Sequence, residues 1–178
     1  VGIVGRPNAG KSTWLNCVLG QKISITSPKA QTTRNRVMGI YNAEGVQAIL
    51  VDTPGHHEAW TDLNKVLVHT AENALGDVDV VLLLVDLVPA AKAAKGGKSI
   101  LSKGERVLLE RIREAGHPVV LGLNKMDAVR ADWMLPVVES WQEEGEFAAV
   151  VPLSALKGHG ADTLLNEVLA LLPEHPPL

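Results

Sequence analysis

Gly5-Arg6-Pro7-Asn8-Ala9-Gly10-Lys11-Ser12 sets a lysine and a hydroxyl directly behind a loop bounded by two glycines. Glycine at both ends lets the backbone curl so that several N–H groups converge on an anion. A short apolar segment, Val1-Gly2-Ile3-Val4, precedes the loop, and Thr13-Trp14-Leu15-Asn16-Cys17-Val18-Leu19 follows it up to Gly20. Strand, glycine-flanked loop and helix in that order predict a phosphate-binding loop of the nucleotide-hydrolase kind. The positive end of a helix starting near Gly10 would add to the same spot. Lys11 can then reach the outer phosphates as a point charge, and the Ser12 hydroxyl can ligate Mg²⁺. Gly5, Arg6, Pro7, Asn8, Ala9, Gly10, Lys11 and Ser12 are therefore the candidate phosphate cradle, and Thr13 stands directly behind them.

Two further groups suit the same ligand. Asp52-Thr53-Pro54-Gly55 ends an apolar run, where Asp52 can hold Mg²⁺ and Gly55 can offer an N–H to a terminal phosphate. Asn124-Lys125-Met126-Asp127 ends another such run. A carboxylate at Asp127 accepts from a base that carries both a ring N–H and an exocyclic amine, which describes guanine and not adenine. The Lys125 stem can lie along the base plane, while Asn124 ties this loop to the phosphate loop. Ser154-Ala155-Leu156, after a later apolar run, can present an N–H to the guanine carbonyl.

Positioning these groups takes alternating strands and helices. Residues 37–41 and 46–51 are short apolar runs separated by Asn42-Ala43-Glu44-Gly45, which reads as a hairpin turn. Residues 78–85, continuously apolar but for Asp79, and the apolar runs 118–123 and 147–151 are as expected of parallel strands covered on both faces. Leu63, Val66 and Leu67 fall at helical spacing, as do Val107, Leu108 and Ile112. Leu164, Leu165, Val168, Leu169 and Leu172 form an amphipathic stripe near the end of the chain. The fold class implied is α/β: a three-layer P-loop domain whose mostly parallel sheet has one antiparallel strand. Ligands in such sheets bind beyond the carboxyl ends of the strands, where all the groups above fall. Residues 19–36 and the lysine- and glycine-bearing residues 89–104 are expected to be irregular surface loops.

The composition is that of a globular domain, with 178 residues, 46% hydrophobic and 21% charged. A net charge of −3 supplies no overall attraction to nucleic acid. The single cysteine, Cys17, excludes an internal disulfide and is expected to be a small core residue of the first helix. No apolar run approaches the roughly 20 residues needed to span a bilayer.

Together these residues resemble the translation-factor-like GTPases, and one family among them. Gly20-Gln21-Lys22-Ile23-Ser24-Ile25-Thr26-Ser27-Pro28-Lys29-Ala30-Gln31-Thr32-Thr33-Arg34-Asn35-Arg36, followed by Val-Asp-Thr-Pro-Gly, is similar to the first switch of the Era family of ribosome-assembly GTPases. The Der and MnmE families typically carry a glycine before the Thr-Arg pair here, and a G domain of either kind is the alternative. A nucleotide-gated binding module with negligible hydrolysis is another. The resemblance implies a Ras-like GTPase (G) domain over residues 1–172, with residues 173–178 opening a linker to an RNA-binding KH domain. It implies GTP and GDP as ligands with Mg²⁺ held by Ser12, Asp52 and the switch residue Thr33. Gly55 and His56 would stand with Thr33 at the reacting phosphate, and Asn8 would hold a K⁺ ion beside it. It further implies a cytoplasmic monomer able to associate peripherally with the inner membrane. Through the KH domain, the full protein would bind small-subunit ribosomal RNA and the 30S subunit. His56 departs from the family, which usually has an apolar residue there.

Overall fold

The computed structural model describes residues 1–20, 36–52, 75–76 and 78–174, without the side chains of residues 36–38 and 52. Among these residues six strands form one sheet: β1 (Gly2–Val4), β2 (Arg36–Ala43), β3 (Val46–Asp52), β4 (Val81–Asp86), β5 (Val119–Asn124) and β6 (Ala149–Pro152). Their order is β2-β3-β1-β4-β5-β6. Only the β2–β3 pair is antiparallel, closed by a turn at Gly45, whose φ of 74° suits glycine. The other neighbouring strands pair in parallel, so their carboxyl ends share one edge. This is the α/β P-loop architecture expected from the sequence.

Period-two alternation in the strands divides the core. Val81, Leu83 and Val85 of β4 pack on one face, with Val119, Leu121 and Leu123 of β5. Leu82 and Leu84 pack on the other, with Ile3 and Val120. The first face is covered by α2 (Leu87–Lys95), α3 (Lys103–Ala115) and α4 (Ala131–Glu144). The second is covered by α1 (Lys11–Leu19) and α5 (Ala161–Leu169), which are tied together where the buried Trp14 Nε1–H donates to Ala161 C=O at 3.3 Å. Helix α3 begins in a capping box, with Ser102 Oγ accepting Glu105 N–H and Glu105 Oε2 accepting Ser102 N–H.

Three expectations are corrected. Residues 89–104 are not an irregular excursion, because α2 occupies their first half. Asp86 caps it, and Pro89 falls in the first turn, where a missing N–H costs no helical bond. The alanines and lysines that follow are strong helix formers, and Gly96 ends the run. Cys17 is exposed rather than buried, since α1 turns Trp14, Leu15, Val18 and Leu19 inward and leaves Cys17 on the opposite face. The strand expected over 78–85 begins only at Val81. One element escaped the sequence reading: α4, which carries Pro136 in its interior. The helix expected around Leu63, Val66 and Leu67 lies outside the described residues.

Candidate functional site

The phosphate loop follows β1 and hands over to α1. Gly5 is buried so tightly that a Cβ there would lie 2.3 Å from the Leu84 carbonyl oxygen. Ala9 N–H closes the turn onto Arg6 C=O at 3.1 Å. Asn8 and Gly10 both have left-handed backbones, at φ 64° and 97°, which asparagine tolerates and glycine favours. Gly10 N-caps α1 without a side-chain acceptor. The first helical bond runs from Trp14 N–H to Gly10 C=O, so the N–H groups of Ser12 and Thr13 stand outside the helical ladder. Both side chains are exposed at that end. Lys11 Nζ folds back over the loop and donates to Gly5 C=O at 2.8 Å and Arg6 C=O at 3.3 Å. Positive charge, a helix N-terminus and a curled backbone therefore meet at one point, which fits a phosphate chain.

Asn124 joins this loop to the next. Its side chain is 2% exposed and spans two elements. Nδ2 donates to Ala9 C=O at 2.9 Å, and Oδ1 accepts Ala155 N–H at 2.9 Å. The expected tie between the Asn124 loop and the phosphate loop is thus present. Gly10 is pressed against the same amide, since a Cβ on it would lie 2.1 Å from Asn124 Nδ2.

After Asn124 the chain turns sharply. Lys125 has φ 69°, an uncommon conformation for a lysine, and N-caps a single 3₁₀ turn, Met126–Ala128. Met126 N–H donates to Leu153 C=O at 3.0 Å, which fastens the turn to the chain leaving β6. Asp127 is exposed, and Ser154 Oγ donates to its Oδ1 at 2.7 Å. Ser154 Oγ also accepts Lys157 N–H at 3.2 Å. The Ser154 loop was expected to offer an N–H to a base. Within that loop Ser154 N–H donates to His159 C=O, and Ala155 N–H donates to Asn124 Oδ1. Ser154 and Ala155 therefore brace Asp127 and Asn124, and Leu156 stands 74% exposed beside them.

Asp52 ends β3 level with Ile3 of β1. Thr33, Thr53, Pro54, Gly55 and His56 lie outside the described residues. Arg6 and Pro7 line a cavity of about 220 Å³ with Val85, Asp86, Pro89 and Glu105, between the loop and the start of α2. Sequence reasoning missed Asp86, whose Oδ2 accepts Lys125 Nζ at 2.6 Å. A signal was present: Asp86 ends an apolar strand as Asn124 does, and the β4–β5 register sets the two side by side.

Known proteins place this arrangement in a family. Residues 1–125 match the family model described as 50S ribosome-binding GTPase. The chain is 43% identical over 176 residues to GTPase Era of Syntrophus aciditrophicus, covering 99% of this chain and 54% of that protein. It is 42% identical to GTPase Era of Lactobacillus delbrueckii subsp. bulgaricus, again over 99% of this chain and 55% of the relative. The chain thus spans about half the length of the curated relatives it matches. Among solved structures, the G domain of the T. maritima FeoB iron transporter superposes with a TM-score of 0.60 at 22% identity, covering 95% of both chains. Elongation factor SelB of Methanococcus maripaludis, bound to a GTP analogue, gives 0.66 at 18% identity, covering 96% of this chain and 32% of the factor. These two likenesses concern the fold. The chain belongs to the 50S ribosome-binding GTPase family, and within it resembles the GTPases named Era along nearly its whole length.

Proposed function

We propose that this chain is a G domain that binds GTP and Mg²⁺, hydrolyses the terminal phosphate and reports the nucleotide state as an Era-type switch in ribosome assembly. The observation that carries the reading is the Asn124 side chain. It is buried between Ala9 C=O and Ala155 N–H and locks a phosphate cradle to a base-reading loop at one sheet edge. In this reading Asp127 accepts from the guanine ring N–H and amine, held in place by Ser154. The Lys125 stem lies along the base. Lys11 and the first turn of α1 bind the outer phosphates. Ser12, Thr33 and Asp52 supply hard oxygen donors of the kind Mg²⁺ prefers, and Asn8 an amide oxygen suited to K⁺. Such cations, when bound, neutralise charge developing on the transferred phosphoryl group. Gly55 contributes an N–H to the terminal phosphate, and His56 assists in orienting the attacking water.

The family description, a 50S ribosome-binding GTPase, supports a ribosomal role for the full protein. The finer proposal follows from the Era resemblance alone: residues 1–172 form the G domain, and residues 173–178 lead towards a KH domain that contacts small-subunit ribosomal RNA. The wider proposal is a cytoplasmic monomer with peripheral affinity for the inner membrane. Among the described residues no helix is long and apolar enough to cross a membrane. Phosphate release from GTP by the purified chain, with GDP but not ATP competing, tests the enzymatic reading. Tight GTP binding without turnover would leave a binding module, and equal competition by ATP would remove the guanine assignment.

A further inference from the structure

Asp86 is the last residue of β4, and its carboxylate is engaged twice. Oδ1 accepts Val88 N–H at 2.9 Å and so caps α2. Oδ2 accepts Lys125 Nζ at 2.6 Å. The pair is partly shielded, with side chains 23% exposed for Asp86 and 36% for Lys125. Lys125 starts from a left-handed backbone at φ 69°, a conformation that lasts only where the surroundings hold it. A free lysine stem samples many rotamers, and fixing them when a ligand arrives weakens binding. Here the ammonium is fastened in advance by a residue of the neighbouring strand.

We propose that Asp86 is a positioning residue of the guanine site. By holding the Lys125 ammonium it presents the aliphatic stem as a preformed wall for the base, and by capping α2 with the same carboxylate it links that wall to the helix beside it. The proposal rests on the G-domain reading above and names a residue outside the loops that touch the nucleotide.

Asparagine caps helices as well as aspartate does but carries no charge. Asp86→Asn therefore keeps the cap of α2 and removes the ion pair. The experiment measures release of a fluorescent GDP from the chain by stopped flow, with the melting temperature of each variant recorded alongside. Asp86→Asn is expected to release GDP about three- to ten-fold faster with the melting temperature lowered by no more than about 4 °C, the scale of one partly shielded charge-assisted bond. Asp86→Ser, which also caps without charge, must reproduce the effect. In a Lys125→Met background, Asp86→Asn should alter release by less than about 1.5-fold, because its partner is gone. Wild-type release rates in Asp86→Asn and Asp86→Ser, or an equal acceleration with and without Lys125, would overturn the proposal. A wild-type chain that binds no GDP would instead overturn the G-domain reading on which it rests.

Discussion

Replacing Gly10 by alanine attacks the joint between the two nucleotide loops. The new Cβ would have to occupy a φ of 97° and a position 2.1 Å from Asn124 Nδ2. A side chain in left-handed backbone costs about 1–2 kcal/mol. Asn124 cannot swing away freely, because its amide is buried and bonded at 2.9 Å to both Ala9 C=O and Ala155 N–H. Displacing it strands one acceptor and one donor, and a buried orphan costs about 1–3 kcal/mol. If one of the two finds water, the total loss is about 2–5 kcal/mol, a large share of the roughly 5–15 kcal/mol that holds a typical domain folded. Urea denaturation of a double-mutant cycle separates the parts. In an Asn124→Ala background the obstacle is gone, so Gly10→Ala should cost only the backbone strain of about 1–2 kcal/mol. The expected coupling is then about 1–3 kcal/mol at an unchanged denaturant slope. Costs that add within about 0.5 kcal/mol would refute the steric argument.

Ser154→Ala removes the 2.7 Å bond that orients Asp127, and should weaken GDP binding about five- to ten-fold by equilibrium titration; unchanged affinity would count against the brace. For hydrolysis, Asn8→Ala or exchange of potassium for sodium should remove most of the rate in a phosphate-release assay, with His56→Ala costing little. A potassium-independent rate that falls roughly 10²-fold in His56→Ala would reverse that ranking. Cys17, exposed on α1, should react with a thiol reagent in the native chain as fast as in urea, and protection in the native state would contradict its placement.

What the sequence reveals follows the strength of each local signal. The strands of the sheet centre are continuous apolar runs, and all lie within a few residues of where periodicity puts them. The phosphate loop is legible because its glycines meet two separate demands, the left-handed turn at Gly10 and the close approach of Gly5 to Leu84. Proline misleads in both directions. Pro89 reads as a breaker but lies where a helix tolerates it, and Pro136 hides α4, a helix that forms around it because Val137 and Trp141 are fully buried. The roles of Ser154 and Ala155 are not legible either, since a tripeptide does not reveal that its hydroxyl and amide will face inward to Asp127 and Asn124. Asp86 depends on strand register, which becomes visible only when β4 and β5 are aligned.

Selectivity for guanine at Asp127 is the claim on which the rest depends. In the chain as it stands, Ser154 Oγ donates to Asp127 Oδ1 at 2.7 Å and uses one of the carboxylate's four lone-pair sites, so both oxygens can still accept from the ring N–H and amine of a base. In Asp127→Asn the amide oxygen can keep the Ser154 bond, so the amide nitrogen would face the base as a donor. A donor there meets the ring N–H and amine of guanine unfavourably, but suits the carbonyl that xanthine carries in place of the amine. Titration of fluorescent GDP and its xanthine analogue into both proteins is the most direct test. The expected result is a change of preference towards xanthine of about 10²-fold or more, the scale set by leaving polar groups of a binding site unpaired. An Asp127→Asn chain that still prefers guanine as strongly as the original would contradict the account.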